Sequence, residues 1–135
     1  MRTYQDESDY GRIREFLREI SLLNDRRDFS WSLLGWDYWV WHVNMNIFHL
    51  KPEEVISLWE SDRQIVAMLN PDTPGEAFFQ VHPSYHNEEL LTEMLDVAEA
   101  KLSITKENHS NELIIWVNTA DFLYKDLLEP WIKEW

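Results

Sequence analysis

The chain has no cysteine, three glycines and only 12 basic residues against 25 acidic ones. Without cysteine there are no disulfides, no thiolate nucleophile and no cysteine-ligated zinc. Glycine occurs only at Gly11, Gly35 and Gly75, so a phosphate-cradling loop has little to work with. No G-x-S-x-G, Walker or dinucleotide-binding pattern occurs. The net charge of −13 runs against a nucleic-acid binder, which needs a basic face to neutralise phosphates. Six of the seven arginines do fall between Arg2 and Arg27, which leaves either a solvated helix face or a local basic patch. No run approaches the roughly 18 apolar residues of a membrane span. The N-terminus, MRTYQDESDYGRIREF, lacks the apolar segment of a signal peptide. The expectation is a cytoplasmic protein that engages neither nucleic acid nor membrane.

What is present is a core. Hydrophobic residues make up 44% of 135 positions, enough for one folded domain spanning 1–135. Eight tryptophans are many for this length, and Trp31, Trp36, Trp39, Trp41 and Trp59 lie in the first half; such rings dominate cores and interfaces. Arg2 to Gln5 reads as a short strand. Ser8 is the expected cap of a helix over 9–23, where Ile13, Phe16, Leu17, Ile20 and Leu22 or Leu23 form a buried stripe. Residues 24–29 read as a polar loop.

Residues 31–48 carry two helical stripes: Trp36, Trp39, Val40, Val43 and Ile47 on one face, and Tyr38, Trp41, His42, Met45 and His49 on another. A helix apolar on two faces needs cover on both. It is either wedged into the core or lines a groove for a ligand or partner domain. Residues 55–60 and 64–70 fit an antiparallel hairpin joined by Ser61, Asp62 and Arg63. NPDTPG over 70–75 is a turn, and 76–81 is the next strand. Asn87 caps a helix over 87–102, with Leu91, Met94, Leu95, Ala98 and Leu102 on one face. Residues 112–117 are a β-branched strand, and Thr119 opens a last helix limited by Pro130. The order β-α-α-β-β-β-α-β-α predicts an α+β (mixed α/β) domain. The strands at 76–81 and 112–117 are expected to be parallel neighbours joined by a right-handed crossover.

This order, and FFQVHPSY at 78–85 in particular, resembles the GNAT superfamily of N-acetyltransferases. Val81, Pro83 and Tyr85 are similar to the family's V-x-P-x-Y turn after its fourth strand. Ala120, Leu123, Tyr124 and Leu127 are similar to its A-x-x-L-Y-x-x-L helix. The resemblance implies a central, mostly antiparallel sheet whose parallel fourth and fifth strands splay to admit acetyl-CoA. It implies pantetheine pairing with the backbone of Phe79, Gln80 and Val81, and pyrophosphate on the turn of pattern Q/R-x-x-G-x-G/A. It also implies Tyr124 as the general acid that reprotonates the CoA thiolate, a role suited to a phenol with a pKa near 10; packing beside Leu123 and Leu127 is the other reading of that tyrosine. The acceptor would be a small amine, a peptide N-terminus or a lysine.

The turn departs from that pattern. Its six positions are His86, Asn87, Glu88, Glu89, Leu90 and Leu91, so Glu89 and Leu91 stand where the family has glycine. A carboxylate about 4 Å from a phosphate opposes it by about 1 kcal/mol in water and more in a closed site. The chain is similar in this respect to the non-catalytic N-terminal half of tandem GNAT proteins, and the family's final hairpin has no counterpart in it. The expectation is a domain that shapes the acceptor groove and docks a second GNAT domain or a second copy of itself. Glu53, Glu54 and Glu60 are either a general base for an amine or charged turn residues. His82 and His86 are four apart, a spacing used by zinc ligands on a helix, but Pro83 intervenes and no third ligand is evident. His42 and His49 fit as satisfied members of the aromatic helix.

Overall fold

In a computed structural model of the chain, residues 1–23, 33–71, 74–85, 87–105 and 111–116 are described. The expected loop at 24–29, His86, the last helix and Tyr124 lie outside them. The described elements are β1 (Arg2–Thr3), α1 (Glu7–Leu23), α2 (Leu33–Tyr38), a π-helical continuation (Trp39–Phe48), α3 (Pro52–Val55), β2 (Ser57–Ser61), β3 (Gln64–Asn70), β4 (Glu76–Val81), α4 (Glu88–Lys101), β5 (Ile104–Thr105), β6 (Asn111–Glu112) and β7 (Ile114–Trp116).

The main sheet has five strands in the order β1-β2-β3-β4-β7. β1 to β4 are antiparallel neighbours, with Leu58 opposite Met68 and Ala67 opposite Val81. β7 runs parallel to β4, with Glu76 opposite Ile114 and Phe78 opposite Trp116. Parallel neighbours need a crossover, and α4 lies within that connection. β5 and β6 form a separate two-stranded pair. The architecture is therefore mixed helix and strand around an open, mostly antiparallel sheet.

Each sheet face carries its own core, as alternation along a strand requires. On one face Leu69, Ala77, Phe79 and Val81 pack with Leu91, Met94, Leu95, Ala98 and Leu102 of the α4 region. On the other, Leu58, Ile65 and Met68 pack with Ile13, Phe16, Leu17 and Ile20 of α1 and with Trp36 and Trp39. Burying each large aliphatic or aromatic side chain contributes about 1.5–3 kcal/mol. A register irregularity between Trp59 and Glu60 explains why Val66 and Ala67, adjacent in sequence, join the same core. An extra residue of this kind shifts the in–out alternation by one.

Local chemistry corrects several expectations. α1 starts at Glu7, before Ser8, because the Asp6 carboxylate accepts the Ser8 amide at 2.9 Å and so takes the cap role. Val55, expected to open a strand, instead ends a helical turn over Pro52–Val55, since Pro52 at its first position and Glu53 and Glu54 suit a helix N-terminus, and β2 begins at Ser57. The expected strand at 112–117 is broken at Leu113 into β6 and β7. Gly75 adopts φ +84°, and a Cβ there would lie 3.0 Å from the Ile104 side chain. Its carbonyl accepts the Ile114 amide at 2.8 Å, tying β7 to the turn before β4. Gly11, inside α1, has no such reason: a Cβ would meet no heavy atom within 4 Å. A glycine there costs the helix about 0.5–1 kcal/mol relative to alanine.

Candidate functional site

The candidate site is the mouth of α4, where β4 turns into the helix. The His82 amide donates to the Val66 carbonyl at 2.9 Å and extends the β3–β4 pairing by one residue. Pro83–Tyr85 then makes one 3₁₀ turn, closed by the Tyr85 amide on the His82 carbonyl at 2.9 Å. The Ser84 amide donates to Nδ1 of His82 at 3.1 Å, which leaves the neutral ring's proton on Nε2. That nitrogen lies 3.6 Å from Oε1 of Glu19 on α1, and the ring stands edge-on to Tyr85 at 5.6 Å between centroids. The turn is thus held to β3.

Asn87 is extended and caps α4. Its Oδ1 accepts the Leu90 amide at 2.9 Å, and its Nδ2 donates to the Tyr85 carbonyl at 3.0 Å. An anion at this helix start has to compete with that side chain for the Leu90 amide. The next two side chains, Glu88 and Glu89, are exposed carboxylates. They complement the helix dipole themselves and repel a second negative group. Leu91 is fully buried among Met94, Leu95 and Ala98. Its side chain seats α4 on the sheet.

The other named positions divide between the two faces. Phe79 and Val81 lie in the α4-side core with Leu91. Gln80 points to the opposite face, as its register opposite Met68 requires, is 1% exposed, and donates from Nε2 to Oδ1 of Asn70 at 3.3 Å. Asn70 in turn donates to the Pro71 carbonyl at 3.2 Å. Asn70 reads in the sequence as the end of a strand and the start of a turn, and neither role points to this buried amide pair. The Asn–Pro step marked a strand end, but nothing local marked the partner ten residues on. His86 and Tyr124 lie outside the described residues, so the described part of the site is Phe79, Gln80, Val81, Asn87, Glu89 and Leu91.

The remaining candidates are satisfied locally. Glu60 accepts from Arg2 Nε at 2.7 Å and from Arg12 Nη1 at 2.9 Å. Glu53 and Glu54 are exposed in the first turn of α3. The His42 ring lies 5.4 Å from that of Tyr38, tilted by 32°, and His49 ends the π-helical segment in a left-handed conformation. No group of three or more potential metal ligands occurs among the described residues. Among them, too, no helix is long and apolar enough to cross a membrane. Comparison with known proteins finds no matching family model, no matching curated protein and no matching solved structure.

Proposed function

We propose that the chain is a GNAT-type domain of the acetyl-CoA-dependent N-acetyltransferases whose own coenzyme site is closed. It shapes the groove for an amine acceptor (a small amine, a peptide N-terminus or a lysine) beside a second GNAT domain, in the cytoplasm. The observation that carries the closed site is the mouth of α4. Asn87 occupies the Leu90 amide, Glu88 and Glu89 supply the negative charge, and Leu91 is committed to the core. The family part of the reading is supported by an antiparallel β2–β3–β4 run whose last strand pairs in parallel with β7 across α4.

Calorimetric titration of the full chain with acetyl-CoA tests the closed site. The expected result is no saturable heat; micromolar binding would refute it.

A second reading, a dimerising interaction module without chemistry of its own, is favoured by one observation. Tyr38 at the end of α2 and Trp41 and Met45 on the helical segment after it are 61%, 49% and 54% exposed. Isolated apolar residues are ordinary at a surface, but clustered ones mark contact sites. This reading expects a concentration-dependent dimer in sedimentation velocity that Trp41→Ser weakens. A monomer at high concentration removes it.

A further inference from the structure

Trp41 is exposed, yet its ring is fixed in place. Its Nε1 donates to the Tyr10 hydroxyl at 2.8 Å, and the two rings stand edge to face with centroids 5.7 Å apart. The Tyr10 hydroxyl in turn donates to Asp37. Asp37 also accepts the Arg14 fork, Nε on one oxygen and Nη2 on the other, both at 3.0 Å. The indole is therefore tied to α1 and α2 before any partner arrives, and a partner does not have to order it. Tyr38 and Met45, three residues before Trp41 and four after it, are exposed with it. A pre-ordered indole with apolar neighbours has the form of an interface hot spot. We propose that this face docks a basic segment of a partner protein, one that sets arginine or lysine between apolar side chains.

Charge selects that occupant. Aromatic faces carry negative potential and attract a cation placed over them. The start of α1 adds two exposed carboxylates, Asp6 and Glu7. Glu7 lies three residues before Tyr10, on the same side of the helix. Neither carboxylate has an ion-pair partner among the described residues. Arg14, the guanidinium bonded into the network, is spent on Asp37 and offers the face no free positive charge.

A second copy of the chain is the poorer match for this face. It would bring another net charge of −13, and a two-fold contact would set the same carboxylates near one another. A basic segment meets the opposite condition. Its cations lie over the Trp41 and Tyr38 rings and beside Asp6 and Glu7, and its apolar side chains cover Met45. Such docking is independent of whether the coenzyme site is closed.

The test is fluorescence polarisation of the full chain with a fluorescein-labelled peptide of alternating arginine and leucine. Physiological ionic strength screens the long-range attraction to an acidic chain. Saturable binding is expected, and the matching peptide of glutamate and leucine should not bind. Trp41→Ala should weaken binding about tenfold, the loss of one anchoring ring and its cation contact. Met45→Ser should weaken it too. Tyr10→Phe keeps the ring but removes the acceptor that orients the indole, and should cost a smaller factor. Leu22→Ser, an exposed apolar position at the far end of α1, should change nothing. Absence of binding by the basic peptide overturns the proposal. So does equal affinity in both Trp41→Ala and Met45→Ser, which would mean diffuse attraction to an acidic surface. A dimer in sedimentation velocity that the basic peptide fails to disrupt also overturns it, in favour of a second copy on this face.

Discussion

Asp9 shows how much a single side chain holds here. It is 2% exposed and accepts Arg2 Nη2 at 2.6 Å, Arg2 Nη1 at 2.8 Å and the Gln5 amide at 2.9 Å. Arg2 also bonds Glu60, so one guanidinium joins β1, α1 and β2. The Arg2 fork holds the Asp9 carboxyl below its ordinary range, against the opposing push of burial. Burial pushes Glu60 and Asp37 up, yet the guanidiniums of Arg2 and Arg12, and of Arg14, bring both down. A carboxyl whose folded pKa is depressed adds stability above its unfolded pKa and loses it as pH falls through the folded value. Stability to urea should therefore hold at neutral pH and fall below about pH 4. Asp9→Asn should cost about 3 kcal/mol at neutral pH and flatten part of the acid decline. An unchanged acid slope in this variant would take Asp9 out of the explanation. None of this was legible in the sequence: Asp9 read as the first residue of a helix, and the strand-borne partner gives no periodic signal.

At the scale of elements, the helix over 87–102 was the most legible. α4 runs from Glu88 to Lys101 with Asn87 as its cap and Leu91, Met94, Leu95 and Ala98 buried. The helix expected over 31–48 was only partly readable. Trp36 and Trp39 are buried as the first stripe requires, while Tyr38, Trp41, His42 and Met45 are exposed. Ten residues from Trp39 to Phe48 are π-helical, a geometry that stripes counted at 3.6 residues per turn do not describe. The segment is closed by the His49 amide on the Asn44 carbonyl, five residues back, at 2.7 Å. The buried Asn44 side chain then accepts the Leu50 amide at 2.7 Å and donates to the Leu50 carbonyl at 2.8 Å. Asn44→Ala leaves both main-chain groups without their partner and should cost about 1–3 kcal/mol in chemical denaturation. A loss below about 0.5 kcal/mol would mean that solvent replaces these bonds at no penalty.

For the whole molecule, the fold class followed from periodicity: alternating strands, two long amphipathic stripes and turn residues between them. The contact between α1 and the β2–β3 turn did not, because Arg12 and Arg63 are 51 residues apart and meet only once the hairpin packs on the helix. The resemblance to acetyltransferases was carried by the β4–α4 segment, and the central claim rests on the same segment. Amide chemical-shift mapping of the full chain with coenzyme A tests that claim most directly. The account predicts no saturable shift at Asn87, Glu88, Glu89, Leu90 or Leu91. Saturable shifts centred on those five amides would mean that the helix start receives a diphosphate, and would contradict it.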